Sequence, residues 1–221
     1  MSTVVFSEGT LQIPVWVKDL ASFRCWAESD EFPEEGRICF INGEVWADMS
    51  FQQVFSHVRV KGELNMTLGT LIRETGQGMY LPDGLRLYSE AADLSAVPDG
   101  SYISYDALRA GRIQLVPGKE SGYTAVDGAP ELVIEIISDS SVDKDYDWQM
   151  RAYQDAGVQE YWVIDARGES IDFDIYKAGA KGFTTVRKTA GWLKSAVLGK
   201  SFRLEVGKDP LGYPDFVLRV R

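Results

Sequence analysis

The chain has little with which to hold a polyanion over a wide area: 23 Lys and Arg stand against 33 Asp and Glu, a formal charge of −10 with a pI near 4.7. Attraction to nucleic acid or to an anionic membrane grows with the number of phosphates that Lys and Arg neutralise, so any phosphate-binding surface must be local. Cysteine is as scarce. Cys25 and Cys39 are the only two, with no Cys/His cluster around them, which argues against a disulfide framework and a structural zinc site. With His57 as the one histidine and no G-x-S-x-G elbow, serine-hydrolase chemistry lacks its parts. No G-x-x-x-x-G-K-[ST] loop, G-x-G-x-x-G fingerprint or H-E-x-x-H helix occurs, and "VPGKESG" is only superficially like the first. The start, "MSTVVFSEGTLQIPVW", lacks a basic region followed by a long apolar core, and no run approaches a membrane span. A soluble, reducing, cytoplasmic location is therefore the expectation, with no membrane partner. Repeats, low-complexity tracts and Pro/Ser-rich linkers are missing too. At 221 residues and 45% hydrophobic, the chain is expected to form one domain over 1–221 with a substantial core.

What is present reads as a mixed α/β sandwich. A first helix is expected over about Val17–Glu28. Asn42-Gly43 sits between two apolar-rich segments of "GRICFINGEVWADM" and reads as a hairpin turn, with Glu44 directly after it. A long helix is predicted over Gln52–Glu74, where Val54, Val58, Lys61, Leu64, Leu68 and Leu71 recur at three- and four-residue spacing. His57 lies near its start, close to the apolar face. Two strands flank the turn in "GMYLPDGLRLY", "GSYISY" supplies a third, and "ELVIEIIS" a fourth. A helix from roughly Ser141 to Ala156 is stopped by Gly157, and "EYWVID" follows as a strand. Strand-rich segments continue to about Leu204, with an irregular tail beyond.

Two carboxylates stand out. Glu135 interrupts an apolar run in which both faces look buried, as in a central strand. Such a carboxylate must be protonated, paired with a cation, or open onto a cleft, because leaving it ionised and alone costs several kcal/mol. Asp99, in "VPDGSYIS", has a simpler local explanation, since Pro-Asp-Gly is a common turn.

The segment "GAPELVIEIISDSSVDKDYDWQMRAYQDAGVQEYWVID" resembles the hallmark of the Uma-two family of restriction-endonuclease-like proteins, within the PD-(D/E)XK nuclease superfamily. The likeness extends upstream through "INGEV", "SHVRVKGELNMTL" and "AVPDGSYIS" in the family's order. It implies a restriction-endonuclease-like α/β fold, a mixed central sheet flanked by helices with an N-terminal helix and hairpin, its nuclease core spanning about 36–176. It implies that Asp99 and Glu135 are metal-binding acids for Mg²⁺ or Mn²⁺, and that the activity is metal-dependent hydrolysis of DNA. Two carboxylates brought together on adjacent strands suit a hard divalent ion that polarises a phosphodiester. The alternative is a protein that keeps the nuclease fold without catalysis and binds or regulates.

The superfamily's lysine position, two residues beyond the second acid, is Ile137 here, and the position to which the family often moves it aligns with Gln149. Lys144, in "VDKD", remains: either it reaches into the cleft or it is an ordinary solvated lysine. His57 belongs to the site by resemblance, although a lone His on an apolar helix face is more often a core residue. Glu44 either completes an acidic cluster or faces solvent. Tyr161 and Trp162 read as core aromatics, with no basic residues interleaved. Duplex cleavage by so acidic a chain leads to the expectation of a homodimer, whose two copies combine their few cations.

Overall fold

The computed structural model describes residues 2–6, 9–119, 121–138, 148–168 and 170–221. The chain begins with a hairpin, β1 (Ser2–Phe6) and β2 (Gly9–Ile13), and a helix, α1 (Leu20–Ala27). Asp19 fixes the start of α1: its side chain accepts the Ser22 N–H at 2.8 Å while the Ser22 hydroxyl accepts the Asp19 N–H at 3.0 Å. A second hairpin follows, β3 (Arg37–Ile41) and β4 (Glu44–Asp48). Its turn residues Asn42 and Gly43 both have positive φ, 50° and 82°, as a two-residue turn matched to strand twist requires. Next come a π-helical turn (Val54–Arg59), the long helix α2 (Val60–Thr75), and the strands β5 (Gly78–Pro82), β6 (Arg86–Ser89), β7 (Leu94–Ala96) and β8 (Gly100–Ser104). The short helix α3 (Tyr105–Arg109) leads to β9 (Gln114–Pro117), β10 (Tyr123–Asp127) and β11 (Leu132–Ile136). Then follow α4 (Gln149–Ala156), β12 (Glu160–Asp165), β13 (Asp172–Lys177), β14 (Thr184–Thr185), β15 (Leu193–Lys194), β16 (Ser201–Lys208) and β17 (Pro214–Val220).

Most strands lie in two six-stranded sheets, beside the β1–β2 hairpin and a three-stranded sheet β15-β16-β17. Sheet I runs β4-β3-β7-β6-β10-β9 and sheet II runs β14-β13-β12-β11-β8-β5. Both are mixed, with parallel pairs at β6–β10 and β11–β12 and antiparallel pairs elsewhere. The larger core fills the space between them: Cys39, Leu87 and Leu94 of sheet I meet Ile103, Val133 and Val163 of sheet II, with Tyr153 of α4. The other face of sheet II (Ile134, Ile136, Trp162) packs on α2 and on Phe202, Phe216 and Leu218 of the C-terminal strands. Helix α1 covers the outer face of sheet I through Phe23 and Trp26. β11 is thus buried on both faces, as its apolar run requires. Among the described residues, no helix is long and apolar enough to cross a membrane.

Three departures from the sequence reading bear on the site. Where one helix was expected over Gln52–Glu74, Val54–Arg59 form a π turn capped by Gln53, seen in the Val58 N–H bonding to the Gln53 carbonyl at 3.0 Å. The wider turn shifts the helical phase. Val54 and Val58 consequently point outward, while Ser56 and His57 turn inward and join the buried face that Lys61 shares with Leu64 and Leu68. The strands flanking Leu81–Gly84 part company: β5 enters sheet II and β6 sheet I, so the turn crosses between sheets and carries Asp83 with it. The tail beyond Leu204 is not irregular. β16 and β17 pair antiparallel from Phe202↔Val220 to Lys208↔Pro214 and close over α2, where the Leu218 N–H reaches Glu63 at 2.8 Å.

Gly78 shows how closely the site's sheet is packed. A Cβ there would lie 2.4 Å from the Ile103 carbonyl oxygen and 2.9 Å from Ser104 Cα, backbone atoms held by the β5–β8 ladder. Gly78→Ala is expected to destabilise by about 1–3 kcal/mol, read as a lower urea midpoint at unchanged slope.

Candidate active site

The acids meet where sheets I and II open onto α2. β8 and β11 pair with Ile134 opposite Gly100, and one further step of that register sets Asp99 opposite Glu135. Both are buried, at 1% and 2% exposure. The Asp99 carboxylate bridges back to β11, its Oδ2 accepting the Ile136 N–H at 2.8 Å. Arg37, His57 and Asp83, which surround Asp99, line a cleft of 590 Å³ together with Arg86, Glu35 and Asp48.

Asp99 is surrounded by cationic side chains drawn from distant segments. Lys61 Nζ, from the first turn of α2, lies 2.8 Å from Oδ1, and Arg37 Nη2, from the start of β3, bonds the same oxygen. His57 Nε2 sits 3.3 Å from Oδ2. That contact is not an aligned hydrogen bond, and neither ring nitrogen has a hydrogen-bond partner among the described residues. Asp83, from the crossing turn, lies 2.7 Å from Lys61 Nζ and 3.4 Å from Arg37 Nη2, and Gln52 Oε1 accepts from Lys61 at 3.2 Å. Burial opposes ionisation of Asp99, but the His57 ring, Arg37 and Lys61 override it and hold the carboxyl well below the usual range. Burial likewise works against the Arg37 charge, and Asp99, then Glu135 and Asp83, more than restore it. Arg37 therefore feels all three acids.

Glu135 is held by α4. Gln149 and Tyr153, four residues apart on one helical face, both donate to Oε1, from Nε2 at 2.9 Å and from the phenol at 2.7 Å, and Gln149 Nε2 also reaches the phenol oxygen at 2.9 Å. Burial and then the Glu135 charge push the Tyr153 phenol well above its ordinary value of 10.0, so it stays a proton donor. The polar triangle explains how a carboxylate sits in an apolar strand: two neutral donors fix its rotamer, and the Arg37 charge is within electrostatic reach.

Asp99, Glu135, His57 and Gln149 thus converge. Glu44 does not: it is exposed at the far end of the β3–β4 hairpin from Arg37, paired with Ile41, because the Asn-Gly turn carries it away from the cleft. The acid beside Arg37 is Asp83. Ile137 is buried in the core between the sheets, and Lys144 lies outside the described residues. Sequence reasoning missed Arg37, Lys61, Asp83 and Tyr153. Lys61 left a signal, a lysine at a position of the apolar stripe; Tyr153 is the i+4 neighbour of Gln149; Arg37 left none.

The donor chemistry suits a hard divalent cation. Asp99 is ionised, both acids offer oxygen ligands, and Gln149 Oε1 is buried with no hydrogen-bond partner among the described residues. Mg²⁺ commonly binds through one or two carboxylates and keeps several waters; the described residues contain no group of three or more His, Cys, Asp and Glu placed to hold a metal.

The model of the Uma2 family, described as "Putative restriction endonuclease", matches residues 20–207. No curated protein matches. Among solved structures, a "putative nuclease belonging to DUF820" from Anabaena variabilis aligns at a TM-score of 0.56 over 82% of this chain and 90% of that one, at 16% identity. At that identity the likeness shows a shared fold.

Proposed function

The chain belongs to the Uma2 family, and from that premise we propose that it hydrolyses phosphodiester bonds of DNA with a divalent cation, Mg²⁺ or Mn²⁺, held by Asp99 and Glu135. The observation that carries the reading is the pair of buried carboxylates, Glu135 on β11 and Asp99 just before β8 in register with it, Asp99 in contact with Lys61 and with Arg37, which lines an open cleft. The metal supplies charge stabilisation at the phosphoryl oxygens and makes water a nucleophile at neutral pH. The protein side of the chemistry is positioning. Gln149 and Tyr153 fix the Glu135 rotamer, the Ile136 N–H fixes that of Asp99, and Arg37 and Lys61 offer positive charge to a phosphate entering the cleft. Lys61 and Arg37 take the place that Ile137 cannot fill on the strand.

Nicking of supercoiled plasmid tests the reading. Activity should require Mg²⁺ or Mn²⁺ and vanish with EDTA. Nicking that persists in EDTA, or none with either metal, would contradict it.

Lys61 separates catalysis from metal binding. Its ammonium neutralises Asp99 and repels an incoming cation, so Lys61→Met should tighten Mn²⁺ binding while slowing nicking by about 10²- to 10³-fold, the usual effect of losing one preorganised charge. Titration calorimetry beside the nicking assay measures both. Weaker metal binding in this variant would mean that Lys61 only maintains the fold of the site.

A further inference from the structure

The cleft before Asp99 does not end at His57. Past Ser50, Phe51, Gln52 and Ser138, which it shares with the next lobe, it continues into a space of 520 Å³, and from there past Gln53, Phe55, Ser56 and Arg167 into a third of 560 Å³ that reaches Val206 and Lys208 on β16. The result is one groove from Arg37, His57 and Asp83, the partners of Asp99 and its cations, to the C-terminal ribbon. We infer that this groove holds an unpaired DNA strand, its bases stacked on Phe51 and on the Phe55–Tyr213 pair and its phosphates near Arg167 and Lys208, leading the strand to the acids. The inference rests on the nuclease reading above and names the form of its substrate.

Two observations favour this occupant. The first is charge. In a chain of formal charge −10, the first lobe sets Glu35, Asp48 and Asp83 beside Arg37 and Arg86, whereas no described carboxylate lines the second or third lobe, whose charged residues are Arg167 and Lys208. Lys208 is exposed; Arg167 is held in place by Asp165, with Nε 2.9 Å from Oδ1 and Nη2 2.7 Å from Oδ2. Such a lining suits an anion of modest charge and offers a duplex little phosphate neutralisation. The second is the aromatic surface. Phe51 is 92% exposed at the junction of the first two lobes. Phe55 and Tyr213 stack with ring centres 5.1 Å apart and planes within 16°, and Tyr213 is exposed. Stacked bases inside a duplex have no free face to offer such rings, whereas every unpaired base has one.

The test is fluorescence anisotropy of labelled oligothymidylate against a blunt duplex of equal length, in EDTA so that no cleavage enters. Wild type should bind the oligothymidylate at least about tenfold more tightly. Phe51→Ala and Tyr213→Ala, both at exposed positions, should each weaken it by about 5- to 100-fold, the range for losing one base-stacking ring. Lys208→Glu should flatten the dependence of log affinity on log salt by about 0.7 for each phosphate that is no longer neutralised. Equal affinity for duplex and single strand, or unchanged binding in Phe51→Ala, overturns the inference. So does light scattering in which Phe51→Ala dissolves a dimer without touching oligonucleotide binding, since the patch would then join two copies. Should plasmid nicking fail in every metal while these binding results hold, the hydrolytic reading falls and the groove stands.

Discussion

Asp99→Ala is expected to cost about 3 kcal/mol of unfolding free energy, the lower end of what removing one partner of a buried ion pair costs. The variant leaves Lys61 and Arg37, with side chains only 10% and 19% exposed, without the buried counterion they share, and it orphans the buried Ile136 N–H. Asp83, still 2.7 Å from Lys61, keeps the loss from being larger. Urea unfolding measures it, and a Lys61→Met background should recover part of the loss because one stranded charge is gone. A loss below about 1 kcal/mol would mean that solvent already screens the cluster. The pH dependence has a definite sign. The Asp99 carboxyl is depressed below its ordinary 3.8, so its contribution is fully present above that value and is lost as pH falls below it. Asp99→Asn should therefore lose stability near neutral pH and flatten the acid limb, where the wild type gives up this contribution.

Glu135→Gln should have the opposite profile: stability changed by less than about 1 kcal/mol and nicking reduced by about 10³-fold or more. The amide keeps the side-chain shape, and its oxygen can accept the Tyr153 phenol and the Gln149 amide as Oε1 does now, at 2.7 and 2.9 Å. What disappears is the negative charge that Arg37 also feels, and with it a metal ligand. Thermal unfolding beside the nicking assay separates the two effects. A drop of several kcal/mol with nicking intact would recast Glu135 as a structural partner of Arg37.

Much of this was legible because it depends on local pattern. The β-branched run of β11 identified a strand buried on both faces and made Glu135 conspicuous; Asn42-Gly43 marked the hairpin; Gly157, with φ of 96°, ends α4 where the sequence indicates. The polar surroundings of the acids were not legible, for reasons that are themselves physical. Lys61 keeps the helical spacing to Leu64 and Leu68, but the π turn puts Ser56 and His57, not Val54 and Val58, on its face, and no residue type in "QQVFSHVR" announces a π turn. Asp83 looked like an ordinary turn residue, and it is one; its role comes from the turn passing between sheets, a long-range fact. Arg37 meets Asp99 only through the pairing of β3 in sheet I and the packing of the sheets. The β16–β17 ribbon was missed because its buried residues, Phe202, Phe216 and Leu218, alternate with half-exposed ones across a turn rich in Gly and Pro. It supplies Lys208 to the groove, and its turn stacks Tyr213 on Phe55, which lines the groove.

The central claim is that Asp99 and Glu135 jointly hold a divalent cation, and calorimetric titration of Mn²⁺ into the wild type and Glu135→Gln tests it most directly. The account predicts saturable binding to the wild type, weakened by the charge of Lys61 and Arg37, that disappears in Glu135→Gln at preserved thermal stability. No saturable binding to the wild type, or binding that survives Glu135→Gln unchanged, would contradict it.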